Sequence, residues 1–188
     1  MSEMETISAV YTGGQVVVPA QNEANSLYQD GYGSLLGRGH LLTLKPFEAL
    51  YLAEGMRIAV IDEASRQRLV FQELLWRFSG DDPLAWTRYL VYRDLRSRGF
   101  VVRDGPGLGI DLLVYERGAY GKRPPRYHVY AVSEGASEPI RHLCDVLEAA
   151  ESAGRTLRLA VIDRRGEVVY YTLSETEFEN LEERCPSL

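Results

Sequence analysis

The chain has 188 residues, 45% hydrophobic and 26% charged, with a formal net charge of -6, which is enough to bury a real core as one large domain or two small ones. Apolar runs such as Val16 to Val18 fall far short of a bilayer span, and the acidic start Met1-Ser-Glu-Met-Glu-Thr6 lacks the basic segment and apolar run of an export signal; the expected class is a soluble, cytoplasmic globular protein. The negative balance excludes a general attraction to nucleic acid, so RNA contact requires a local patch or a more basic partner.

In chain order, Ile7 to Val10 and Val16 to Val18 read as two strands around the turn signal Thr12-Gly13-Gly14. Glycines 31, 33, 37 and 39 then punctuate a loop and a short strand, without the strand-to-helix setting and lysine of a phosphate-binding loop. The segment Thr43 to Gly55 carries a cap, an early proline and a terminal glycine, which predicts a helix. A strand over Met56 to Ile61 follows, then a helix over Gln67 to Phe78 with Phe71, Leu74, Leu75 and Phe78 at helical spacing. Gly80-Asp-Asp-Pro83 collects breakers and sets the expected boundary, giving domains 1–82 and 83–188.

The second half opens on an amphipathic helix, Trp86 to Gly99, with Leu90, Val91 and Leu95 on one face and Arg88, Arg93, Arg96 and Arg98 mostly on the other. Strands are expected at Phe100 to Arg103, Asp111 to Glu116 and Tyr127 to Ser133, then a helix over Ile140 to Ala153. Leu157 to Ile162, a turn at Asp163-Arg-Arg-Gly-Glu167 and Val168 to Leu173 complete the pattern. The fold class is therefore α+β to α/β: a small N-terminal antiparallel sheet with helices, followed by an α/β domain on a mixed sheet.

Cys144 and Cys185 belong to no Cys-x-x-Cys or Cys/His cluster, so a structural metal site is not expected, and whether the two form a disulfide stays open. Lysine occurs only at Lys45 and Lys122, and the other 19 of the 21 lysines and arginines are arginine, so no lysine follows 122. His40 and His142 have no chemical partner nearby in sequence and are read as surface or helix residues.

Three motifs in order, Arg88-Tyr-Leu-Val-Tyr-Arg-Asp-Leu-Arg-Ser-Arg-Gly-Phe-Val-Val102, Asp111-Leu-Leu-Val-Tyr-Glu-Arg-Gly118 and Leu159-Ala-Val-Ile-Asp-Arg-Arg-Gly-Glu-Val-Val-Tyr-Tyr171, resemble the archaeal tRNA-intron (splicing) endonuclease family. Tyr32-Gly33 and Leu44 to Leu52 resemble its N-terminal region, so the likeness covers most of the chain. The resemblance implies metal-free, cofactor-free RNA cleavage. A tyrosine acts as base on the 2'-hydroxyl, a histidine as acid on the leaving 5'-oxygen, and a lysine steadies the phosphorane; the products are a 2',3'-cyclic phosphate and a 5'-hydroxyl.

Carried over position by position, the tyrosine is Tyr115, the histidine position holds Tyr127 with His128 displaced by one, and the lysine position holds Arg155. Alternation along a strand then predicts that His128 faces away from a site that Tyr127 faces, unless a bulge or an insertion in Ala119 to Arg126 shifts the register. The family assembles from four such folds, and its assembly surface corresponds to the acidic turn with Asp163 and Glu167 and the last strand, Val168, Val169, Tyr170 and Tyr171. Two changes among three catalytic positions imply a structural subunit, partnered by a catalytic one in a heterotetramer that acts on precursor tRNA. The alternative is an active nuclease using Tyr115, His128 and Arg155, and a more distant one is an unrelated module whose arginine helix binds RNA or protein.

Overall fold

The computed structural model describes residues 6–37 and 41–175. The first sheet contains β1 (Ile7–Thr12), β2 (Gln15–Val18), β3 (Ser34–Leu36), β4 (Leu41–Leu44), β5 (Ile58–Asp62) and β6 (Arg68–Leu69), with helices α1 (Gln21–Gln29), α2 (Pro46–Glu54) and α3 (Phe71–Asp81) between them. Its order is β3-β4-β2-β1-β5-β6, antiparallel except for the parallel pair β1 and β5. The hairpin expected at Gly13-Gly14 is present: Thr12 pairs with Gln15, and both glycines have positive φ, +55° and +77°, as a two-residue turn of matching twist requires.

Local differences from the sequence reading have physical causes. Helix α2 starts at Pro46 rather than Thr43, because Thr43 and Leu44 pair with Val17 and Val16 in β4. Its first turn is closed by Glu48, whose carboxylate accepts the Lys45 backbone N–H at 2.9 Å. Likewise α3 starts at Phe71, because Leu69 pairs with Val60. Helix α1 was not anticipated; only Ala24 and Leu27 are buried in an otherwise polar segment.

The second half begins with α4 (Ala85–Ser97), then β7 (Val101–Gly107), β8 (Ile110–Tyr115), β9 (Tyr127–Ser133), α5 (Ile140–Ser152), β10 (Thr156–Ile162) and β11 (Val168–Leu173). The sheet order is β11-β10-β9-β8-β7, with β9 and β10 parallel across the α5 crossover and every other pair antiparallel. Where the two expected strands left residues 104–110 as a connection, β7 continues through an irregularity between Asp104 and Gly107 and closes on a tight Leu108-Gly109 turn.

Helix α4 lies at the centre of the molecule. Its buried Tyr89, Leu90, Val91, Tyr92 and Leu95 join one continuous core that includes Leu50 of α2 and Val102, Leu112, Val114, Val129, Ala131 and Ala160 of the second sheet. Its arginines do not form a merely solvated stripe: Arg88 bridges Asp82 at 2.6 Å and Asp111 at 2.8 Å, and Asp111 also accepts the Ala131 backbone N–H. On the opposite sheet face α5 presents Leu143, Val146, Leu147 and Ala150 at helical spacing, covering Ile110, Tyr130 and Leu157. The second sheet is thus clothed by α4 on one face and α5 on the other, and that division decides where each candidate side chain points.

Candidate functional site

Three of the candidate positions converge on one end of the second sheet. Tyr115 is the last residue of β8, His128 the second of β9, and Arg155 immediately precedes β10. Register settles the faces. Leu113 pairs with His128, and Val114 with Tyr127. Because successive strand side chains alternate, Tyr115 shares the α5 face with Leu113 and His128. Leu157 pairs with His128 from the other side, and Arg155, two positions before it, follows the same face.

The expected orientation of β9 is therefore reversed: His128 lies on Tyr115's face and Tyr127 on the α4 face. The cause lies in the segment between β8 and β9, whose length sets the phase of β9, and the hydrogen bond from Arg126 N to Val114 O locks it. Tyr127 lines a cleft of about 130 Å³ between α4 and the sheet, with Leu95, Arg98, Phe100, Arg158 and Tyr170. The guanidinium groups of Arg126 and Arg158 lie 4.9 and 4.8 Å from its ring centroid. Arg158 was not singled out from sequence, although it is a charged residue breaking the apolar run Leu157 to Ile162.

The electrostatics on the α5 face are equally specific. His128 is only 4% exposed, and among the described residues its Nδ1 has no hydrogen-bond partner. Burial first, then the charge of Arg155, hold its pKa below the ordinary 6.5. The Tyr115 phenol moves the other way: burial and the neighbouring Tyr120 raise its pKa above the usual 10, against a smaller lowering by Arg103. Its ring meets Tyr120 edge-on at 5.1 Å. Both shifts have the same first cause, burial, and favour the protonated phenol and the neutral imidazole.

The His128 environment carries a test. As pH falls through about 6.5, the unfolded chain takes up a proton that the folded histidine resists, so this group favours the fold above that range and the contribution is lost on acidification. The His128→Gln protein is expected to lose less stability than the parent between pH 7.5 and 5.5, read as urea midpoints. Parallel pH slopes for the two proteins would count against a depressed histidine.

At the far end of the sheet, the Asp163 carboxylate accepts the backbone N–H groups of Arg165 and Glu167, both at 2.8 Å, and so braces its own turn, while Glu167 is exposed. Val168 packs on the core, and Tyr170 donates its hydroxyl to Asp94 at 2.8 Å. Val169 and Tyr171 point the other way and are 49% and 53% exposed. Strand β11 is an edge strand, paired only with β10 among the described residues.

Other candidates stay apart from this site. His142 sits on α5 with its ring 5.4 Å from that of Tyr130, and Cys144 is an exposed free thiol; Cys185 and His40 lie outside the described residues. Among the described residues no three His, Cys, Asp or Glu side chains gather as a metal ion would need, and no helix is long and apolar enough to cross a membrane.

Comparison with known proteins covers most of the described chain. The chain is 32% identical over 169 residues to a tRNA-splicing endonuclease of Methanococcus maripaludis, covering 90% of this chain and 94% of the relative. It is 32% identical over 177 residues to that of Pyrococcus furiosus, covering 93% and 100%. An EndA-like protein of Methanopyrus kandleri is 33% identical over 164 residues, covering 87% and 93%. The model of the tRNA intron endonuclease N-terminal domain matches residues 7–75 and that of the catalytic C-terminal domain matches residues 85–170. With both models matched in order and full-length archaeal relatives above 30% identity, the chain belongs to the tRNA intron endonuclease family.

Proposed function

We propose that this chain is the structural subunit of a cytoplasmic tRNA-splicing endonuclease, positioning a catalytic partner on precursor tRNA in an assembly of two kinds of subunit. One observation carries the reading: of the three catalytic positions that the resemblance implies, the histidine position holds Tyr127 and the lysine position holds Arg155. The neighbouring groups are tuned against the two proton transfers: a base on the 2'-hydroxyl must be free to accept a proton, yet burial raises the Tyr115 pKa, and an acid for the leaving oxygen must hold a proton to give, yet burial lowers the His128 pKa. Tyr127, at the family's histidine position, faces α4. Arg155, at the lysine position, keeps a charge but with a planar fork in place of a compact ammonium.

A second reading, cleavage by this chain through Tyr115, His128 and Arg155, is favoured by their shared face at one sheet end. It is outweighed by the burial of His128, since a general acid must come within hydrogen-bond reach of the oxygen it protonates. The two readings separate in one assay. The purified chain alone is expected to leave intron-containing tRNA uncut and to acquire cleavage only together with its partner. Robust cutting by the lone chain would overturn the structural reading.

A further inference from the structure

The segment joining β8 to β9 is strongly basic. In a chain of net charge -6, residues 116–126 carry Arg117, Lys122, Arg123 and Arg126, and Glu116 is the only acid from there to Ser133. Arg126 pairs with Glu116. Among the described residues Arg117, Lys122 and Arg123 have no carboxylate within ion-pair distance, and all three are exposed. Arg155 adds a fifth charge at the same sheet end, since the neighbouring Thr156 pairs with Tyr127.

This segment is built to hold those charges in place. Ala119 N bonds Glu116 O at 2.9 Å, while Lys122 N and Arg123 N both bond Ala119 O, at 3.0 and 2.9 Å. Tyr120 anchors its base, edge-on to Tyr115, with the Arg103 guanidinium 5.4 Å from its ring centroid. Pro124 and Pro125 restrict the backbone leading into β9. A braced loop carrying several cations that are unpaired among the described residues, beside aromatic rings, suits a polyanion with regularly repeated charges, and RNA supplies one phosphate per nucleotide.

We infer that the 117–126 loop, together with Arg155, is a grip for the RNA phosphate backbone, so that this subunit binds substrate whether or not it cuts. The inference rests on the reading that the complex acts on precursor tRNA, and it adds direct RNA contact to the assembly role. The loop works through fixed positive charge, with no proton transfer, so it survives the loss of acid and base functions beside it.

The test uses the full chain with its partner and intron-containing precursor tRNA, followed by fluorescence anisotropy from 50 to 200 mM salt. The variant Arg117→Ser/Lys122→Ser/Arg123→Ser is compared with Arg66→Ser/Arg68→Ser/Arg141→Ser, which removes the same charge from exposed sites elsewhere. The loop variant is expected to bind at least about tenfold more weakly and to lower the salt slope by about 2–3, one phosphate contact per cation; the control should match the parent. Equal affinities for loop variant and control overturn the inference. So does a loop variant that fails to co-purify with the partner while the lone chain's RNA affinity is unchanged, which would make the loop a protein contact. Parent complex that neither binds nor cuts precursor tRNA would instead refute the functional reading on which the inference rests.

Discussion

Replacing Arg103 with methionine is expected to cost about 3–5 kcal/mol of folding stability, the range for removing one partner of a buried ion pair. Arg103 reaches from β7 to the first sheet, donating to the carbonyl oxygens of Gly31 and Gly33 and to the Glu48 carboxylate at 3.2 Å. Glu48 is 1% exposed. Without the guanidinium its carboxylate keeps only the backbone N–H groups of Lys45 and Gly33, at 2.9 and 3.0 Å. Burial already raises the Glu48 pKa above its ordinary 4.5, and the Arg103 charge is the largest influence opposing that rise. A raised carboxyl pKa favours the fold below the unfolded value and disfavours it as pH rises, so the deficit should be larger at pH 8 than near pH 4.5. The double change Arg103→Met/Glu48→Leu should recover much of the loss. A single-variant cost below about 1 kcal/mol, by urea denaturation at pH 7, would contradict this account of how the sheets are joined.

The second large effect concerns assembly. Val169 and Tyr171 lie on the outward side of an edge strand and are half-exposed in the lone chain; such an edge is a template for pairing with another chain. Val169→Glu/Tyr171→Glu puts two charges where a partner strand would bury them. The expected penalty on association is about 3–5 kcal/mol, a factor of at least about 100 in affinity. The monomer's own thermal midpoint should hardly move, because Val168 and Tyr170, the core-facing residues of β11, are untouched. Analytical ultracentrifugation of parent and variant with the partner reads this directly, and an unchanged assembly would remove β11 from the interface.

Much of this architecture was legible because period and punctuation agreed. Tyr127 to Ser133, the α5 segment and the β10–β11 hairpin around Gly166 stand essentially where alternation, helical spacing and turn residues placed them. Helix α1 was not legible, since two buried residues in nine give almost no periodic signal. Strand β4 was hidden because Thr43-Leu44-Lys45-Pro46 reads equally as a helix cap followed by proline, and only pairing with β2 decides between them.

At the site, sequence alternation correctly separated Tyr127 from His128 on opposite faces. It could not say which of the two joins Tyr115, because that depends on how many residues the basic loop takes up between β8 and β9. Nor could sequence reveal that His128 is buried without a partner for Nδ1, a consequence of its position between β8 and β10.

The central claim, that this chain's own Tyr115, His128 and Arg155 do not perform the cleavage, is tested most directly in the complex. The chain would be tagged, recovered with its partner from the native source, and compared with Tyr115→Phe/His128→Ala/Arg155→Ala in the same assembly, with single-turnover cleavage of intron-containing tRNA measured at saturating enzyme. The account predicts rates within about threefold of the parent, because the bonds are cut by the partner's residues; a loss of 100-fold or more, on the scale of removing general acid–base groups, would contradict it.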